Sequence, residues 1–209
     1  MSTSLVVVPS SPVVPTTGEL AVRMGELLCG AVDRPVIVQA FVGLDLKRRP
    51  LVEVIRPQGT GAPRRADASL PLAIPADEYG WISLPGGGVG FDFTFDDDDP
   101  AVRHDWVSEE CAARATELGT APGFPFDRAA GIGHSWTLRL QAMQPVVVHL
   151  LAGFAAVALG QLVDGFIHSE DGGPDELRTP ATPQRFLDWY PEWIAADRAW
   201  VDPRRGRDS

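Results

Sequence analysis

The chain of 209 residues predicts an α+β fold, with a mostly antiparallel sheet and helices packed on one face. Three observations lead to this prediction. Residues 146–163 carry no formal charge and are apolar nearly all round a helix, so this central helix has to be buried. Residues 91–95 alternate phenylalanine with polar side chains, as a half-buried strand does. The predicted order of elements is strand, helix, two paired strands, strand, helix, strand, helix and strand.

The first 30 residues predict a strand and then a helix. Residues 5–8 form a short apolar, largely β-branched run between polar and proline-rich flanks, which is typical of a strand. Thr16 and Glu19 have the spacing of a capping box, in which each side chain accepts a backbone N–H at the start of a helix. A helix over residues 19–30 then places its large apolar side chains on one face.

Two further strands and a long loop are predicted next. In residues 36–46 β-branched side chains dominate and no helical period holds, so this stretch predicts a strand that pairs with residues 51–55. Residues 56–77 are rich in Pro, Gly, Ala and Arg and have no period, which predicts a surface loop. A short strand over 79–84 precedes the alternating strand at 91–95.

The second half of the chain predicts three helices separated by strands. Asp99 and Pro100 supply an N-cap and a first helical position, which predicts a helix that ends near Leu118. Residues 136–142 alternate as a strand. The apolar helix then ends with Gly165 as the residue after its C-cap, and a strand follows at 166–169.

The last predicted element is a short helix that starts at Pro183 and ends at Pro191. The length suits one buried core, so we expect a single domain over residues 1–200 and a flexible basic tail over 201–209. Hydrophobic residues make up 44% of the chain and charged residues 22%, as in folded soluble proteins.

The net charge of -10 narrows the class of partner. Nucleic-acid binding needs Lys and Arg to displace counterions, so DNA and RNA are unfavourable ligands, whereas a basic protein is a favourable one. No N-terminal export pattern is present, and we expect a cytoplasmic protein. The uncharged stretch at 146–163 has the minimum length of a membrane span, but its histidine, glutamine, glycines and alanines favour a buried core helix.

No local motif predicts a cofactor, a metal or a nucleophile. Residues 86–90 are glycine-rich, but a strand follows them, without the lysine and hydroxyl of a phosphate loop. The run 96–99 lacks the ligand spacing of a calcium loop and suits a solvated turn before a helix. Cys29 and Cys111 fall on the apolar sides of predicted helices, which predicts two buried thiols.

Acidic and aromatic side chains on the predicted surface suit recognition of a partner. Carboxylates would steer a basic protein and neighbouring aromatic residues would anchor it. The candidate partner-binding residues are Asp97, Asp98, Asp99, Trp106, Glu109, Glu110, His168, Glu170 and Asp171.

The C-terminal third of the chain resembles two groups of proteins. The apolar helix and the strand after it, over 148–167, are followed by an irregular insert and by the sequence Pro-Gln-Arg-Phe-Leu-Asp-Trp at 183–189. This arrangement is similar to the C-terminal half of small actinobacterial proteins of unknown function and to cytosolic immunity proteins of polymorphic toxin systems. The resemblance implies a stoichiometric toxin inhibitor without catalytic residues.

Three hypotheses for function follow. The first is a non-catalytic binding module, an immunity-type inhibitor that occludes a basic toxin or effector. The second is a small hydrolase-like enzyme that uses a His/carboxylate or metal site around His104 and His168. The third is a component of a larger protein assembly, which would expose Trp189, Trp193 or Trp200. The sequence leaves the oligomeric state open.

Overall fold

The computed structural model describes residues 3–41, 50–55, 64–85, 89–97, 99–121, 123–141, 143–170 and 177–197. The predicted tail at 201–209 lies outside these ranges. The strands are β1 (Thr3–Val8), β2 (Leu51–Ile55), β3 (Arg64–Arg65), β4 (Tyr79–Ser83), β5 (Gly90–Asp97), β6 (His134–Leu140) and β7 (Phe166–Glu170). The helices are α1 (Thr17–Gly30), α2 (Pro35–Ala40), α3 (Pro100–Asp105), α4 (Ala112–Glu117), α5 (Phe126–Ala130), α6 (Val146–Leu162) and α7 (Pro183–Asp197), with a π-helical segment (Trp106–Cys111) between α3 and α4.

The strands form one sheet of seven strands in the order β3-β2-β4-β5-β6-β1-β7. Every neighbouring pair is antiparallel. The α+β class and the antiparallel sheet are therefore confirmed. The chain enters the sheet at β1, which lies between β6 and β7, so the first strand pairs with the two strands that come last in the sequence.

The larger core lies on one face of the sheet, against α1, α6 and α7. Helix α6 confirms the predicted central helix, because every residue over 148–160 is buried. Gly153 allows α7 to approach closely, since a Cβ there would lie 2.4 Å from Cε1 of Tyr190. No helix in the described ranges is long and apolar enough to cross a membrane.

A smaller helical layer covers the opposite face, which the prediction of helices on one face did not include. There Val6, Val8 and Phe166 pack with Val107 and Cys111 in a second cluster. Because all of the apolar run in β1 is buried, Leu5 and Val7 face the larger core while Val6 and Val8 face the smaller one. A continuous apolar run is the pattern of a strand covered on both faces.

The strand predicted over 36–46 is wrong, because residues 35–40 form helix α2. Pro35 occupies the first turn of this helix, where the missing N–H costs nothing. Ile37 is fully buried, and α2 packs against α7. The tertiary contact therefore overrides the β-branched composition. Residues 42–46 lie outside the described part.

The described part of the loop predicted over 56–77 packs against the rest of the chain. Its described part, from residue 64, contains β3 and then the buried side chains Leu72 and Ile74. The indole Nε1 of Trp136 donates a hydrogen bond of 3.0 Å to the carbonyl of Leu72. This contact fastens the segment to the interior strand β6, where Trp136 pairs with Phe95 of β5.

The residue directly after the C-cap of α6 is Asp164, one position before the predicted Gly165. Val163 is the C-cap of α6, and Asp164 after it takes the left-handed conformation with φ of 54°. Asparagine and aspartate tolerate this conformation better than most residues. Gly165 follows, and its N–H donates to the carbonyl of Gly160 at 2.8 Å, as in a Schellman motif.

Helix α7 continues through Pro191 to Asp197, although the sequence predicted that it would end at this proline. A proline has no N–H for the carbonyl four residues earlier, which here belongs to Leu187. Nη1 of Arg34 donates to that carbonyl at 2.9 Å and so replaces the missing donor. The same guanidinium forms a two-point contact with the carboxylate of Glu192.

We expect Arg34→Ala to lower the free energy of unfolding by about 2 kcal/mol, because it leaves the Leu187 carbonyl without its donor. Urea denaturation of both proteins measures this change. In a Pro191→Ala background the helix supplies its own N–H, so the same Arg34 substitution should cost about 1 kcal/mol less. Equal costs in the two backgrounds would show that Arg34 does not act through this carbonyl.

Candidate functional site

One long helix, made of α3, the π-helical segment and α4, forms the wall of the candidate site. The carboxylate of Asp99 accepts the N–H of Ala101 at 2.8 Å, which confirms the predicted N-cap. Wide π turns are rare and occur often at functional sites. Here the segment buries Val107 and Cys111 against the sheet and leaves Glu109 and Glu110 exposed.

Two of the predicted partner-binding residues, Trp106 of this helix and His168 of β7, are in contact. Their rings meet edge to face, with centroids 5.4 Å apart. The guanidinium of Arg103 lies 5.9 Å from the centroid of the Trp106 ring, within the range of a cation–π contact. Arg103 is only 2% exposed, so a positive charge is buried between the helix and the sheet.

The imidazole of His168 is held in its neutral form. His168 lies opposite Val6 in the sheet, and its Nδ1 is buried without a hydrogen-bond partner among the described residues. Burial, helped by the charge of Arg114, lowers its pKa from 6.5 to about 4. The ring therefore serves as a packing surface for Trp106 at neutral pH.

A groove of about 290 Å³ separates the helical wall from the open part of the sheet. Asp96 of β5 is fixed at one end of it. Thr137 donates a hydrogen bond of 2.5 Å to Oδ2 of Asp96, and Thr94 donates one of 3.1 Å to Oδ1. We call this depression the groove; its lining residues are Val6, Asp96, Val102, Arg103, Trp106, Ser135, Thr137 and Glu170.

A second cleft, of about 530 Å³, lies beside the same end of β5. Residues 73–76 and Phe95 line it together with Asp96 and Asp97. Asp96 therefore lines both depressions, whereas Asp97, the next residue of the strand, points to the opposite face and lines only the cleft. The ring of His134 packs on Phe95 at 5.2 Å, and burial lowers the pKa of this imidazole, assisted by Arg103 and opposed by Asp97.

Of the predicted acidic residues, Glu170 lines the groove, and the other described ones are spread over β5 and the helical wall. Glu170 is the last residue of β7. Asp97 pairs with His134 at the opposite end of the strands. Asp99, Glu109 and Glu110 are exposed along the helical wall. Asp98 and Asp171 lie outside the described residues.

The list of candidate residues omits Arg103 and three sheet residues that line the groove, Asp96, Ser135 and Thr137, although Asp96 belongs to the acidic run that was expected to steer a partner. Asp96, Thr94, Thr137 and Ser135 alternate with apolar residues along β5 and β6, and this alternation was a readable signal that they share a face. No pattern in the sequence indicates that Arg103 is buried, since the next two residues of the helix, His104 and Asp105, are charged or polar and exposed.

The two histidines proposed for an enzyme lie in different surroundings, since His168 packs against Trp106. His104 is exposed on α3, and the described ranges contain no group of three or more His, Cys, Asp or Glu side chains placed to hold a metal. Burial, followed by the charge of Glu110, raises the pKa of Cys111 to about 12, so this thiol is protonated. Cys29 is exposed, contrary to prediction, because it lies one position round the helix from the buried Leu28.

The tryptophans of α7 bear on the assembly hypothesis. Trp189 and Trp193 are partly buried against the larger core, with ring centroids 5.7 Å apart. Trp200 lies outside the described residues.

Comparison of the chain with protein-family models, with curated proteins and with solved structures gives no match.

Proposed function

We propose that this chain is a non-catalytic binding module of the cytoplasm, an inhibitor of the immunity type that covers a basic toxin or effector. One observation carries the proposal. Asp96 lines both depressions, Asp97 adds a second carboxylate to the cleft, and Glu170 adds a second carboxylate to the groove. This surface offers negative charge beside spaces that side chains of a partner can enter.

Charge acts on this interaction at two ranges. The net charge of -10 attracts a basic protein over the distance of the Debye length and raises the association rate. At contact, Glu109 and Glu110 are exposed on the same helical wall that supplies Val102, Arg103 and Trp106 to the groove. Half-buried Trp106 supplies the kind of rigid aromatic anchor that contributes most to binding energy.

The test starts from the native host. The full chain is used as bait, the captured protein is produced separately, and association is measured by stopped flow at several salt concentrations. We expect a basic partner whose association rate falls steeply with salt. Glu109→Gln with Glu110→Gln should slow association roughly three- to tenfold at low salt, because it removes steering charge.

The matched control removes the same charge from the other side of the sheet. Asp33→Asn with Asp188→Asn changes two exposed acids near α2 and on α7, and we expect it to leave the association rate nearly unchanged. Association that is indifferent to salt, or equal slowing by both pairs of substitutions, would rule out binding through the acidic surface. Turnover of a small substrate by the purified chain would refute the non-catalytic part.

A further inference from the structure

The groove has both apolar and charged lining residues, as a lysine or arginine side chain has both an apolar and a charged part. Val6 forms its floor and is 3% exposed, while Val102 at its rim is 68% exposed. Trp106 adds an aromatic surface to the same wall, and the carboxylates of Asp96 and Glu170 complete the lining. A long basic side chain has an apolar stem and a charged head, so both parts find matching contacts here.

Asp96 is arranged in advance to accept a cation. The hydroxyls of Thr94 and Thr137 each donate to a different oxygen of its carboxylate, at 3.1 Å and 2.5 Å. A carboxylate accepts about four hydrogen bonds, so two donors leave capacity for a charged head group. Because its rotamer is already fixed, less side-chain entropy is lost when a ligand binds.

The charge and the size of the groove both indicate a single cation. Its charged lining residues are two acids, Asp96 and Glu170, and one base, Arg103, which leaves one net negative charge. Its volume of about 290 Å³ is at the lower limit of the roughly 300–1,000 Å³ of small-molecule sites. One inserted side chain suits this space better than a cofactor does.

We infer that the groove receives one lysine or arginine side chain of the basic partner. The head group binds Asp96, and the stem lies along Val102 and Trp106. The inference rests on the proposed function and specifies which residue type of the partner enters the site and where. Arginine is the better fit, because its planar guanidinium can pair with a carboxylate through two hydrogen bonds and can stack on an aromatic ring.

The test uses the full chain and two small probes, n-butylguanidinium and n-butylammonium, at low salt. Titration is followed by NMR through the backbone amides and the indole N–H of Trp106. We expect saturable shifts centred on β6 and the helical wall, with tighter binding of the guanidinium probe. Asp96→Asn should weaken binding about tenfold, the effect of losing a charge-assisted hydrogen bond.

Asp92→Asn is the matched control, because Asp92 lies on the same strand and the same face but outside the groove, opposite Arg139. We expect it to change the affinity by less than about twofold, because Asp92 does not line the groove. Glu170→Gln is a second groove variant that should also weaken binding, so the inference stays testable if Asp96→Asn misfolds. Equal weakening by Asp92→Asn and Asp96→Asn, or shifts that avoid the groove, would overturn the inference.

The two proposals fail in different ways. If the probes leave the groove resonances unchanged while Glu109→Gln with Glu110→Gln still slows association of a basic partner, the groove inference is wrong and the proposed function stands. If the host supplies no basic partner, the proposed function is wrong whatever the probes do.

Discussion

Gly165→Ala should lower the free energy of unfolding by about 3 kcal/mol, at the upper end of the cost of overpacking. A Cβ at this position would lie 2.2 Å from the carbonyl oxygen of Val8 and 3.0 Å from its carbon. Both atoms belong to the backbone of β1, which is hydrogen-bonded to strands on both sides, so they cannot move away cheaply. Thermal unfolding should show a midpoint lower by about 6–12 °C.

Gly30→Ala provides the control for this substitution. A Cβ at Gly30, the last residue of α1, would meet no atom within 4 Å. Alanine is also the better helix former, so we expect a change within about 0.5 kcal/mol or a small gain in stability. A similar loss in both variants would mean that the close approach of Gly165 to β1 is not the cause.

Acidification should destabilise the fold through His168. Its pKa is about 4 in the folded chain and 6.5 ordinarily, so the unfolded chain takes up the proton first as the pH falls. The contribution of the neutral His168 ring to the free energy of unfolding is complete above pH 6.5, decreases between pH 6.5 and 4, and is lost below pH 4. Its full size is roughly 3 kcal/mol, and urea denaturation at a series of pH values measures the slope.

His168→Gln should flatten this slope, whatever it does to stability at neutral pH. His104→Gln removes an exposed histidine instead and should retain the slope. Burial also lowers the pKa of His134, so this histidine adds to the loss of stability on acidification. His134→Gln should therefore flatten the slope as well. A slope that is the same in the parent chain and in His168→Gln would show that this imidazole is not held neutral by the fold.

Local patterns were sufficient for the elements whose signals lie within a few residues. The capping box of Thr16 and Glu19 is present in full at the start of α1. The alternation in β5 and the apolar length of α6 also predicted their elements correctly, because burial on one side or on all sides leaves a direct trace in the sequence. The class of the fold follows from these elements.

Contacts between distant residues account for what the sequence could not predict. Helix α2 depends on packing against α7, and α7 passes Pro191 with a donor supplied by Arg34 from far along the chain. In the candidate site, Trp106 and His168 were both named, but it is the packing of the helical wall on the sheet that brings them together. The burial of Arg103 likewise depends on where the helix lies on the sheet.

The position of β1 has a consequence for how the chain folds during synthesis. Val7 pairs with Trp136, about 130 residues later, and with Ile167, about 160 residues later. At a typical 5–20 residues per second, the first strand waits on the order of ten seconds or more for both partners. Until β6 leaves the ribosome, the apolar run of β1 has neither of its neighbours, and until β7 follows it has only one. We therefore expect slow folding set by high contact order, and dependence of the nascent chain on chaperones that shield its N-terminus.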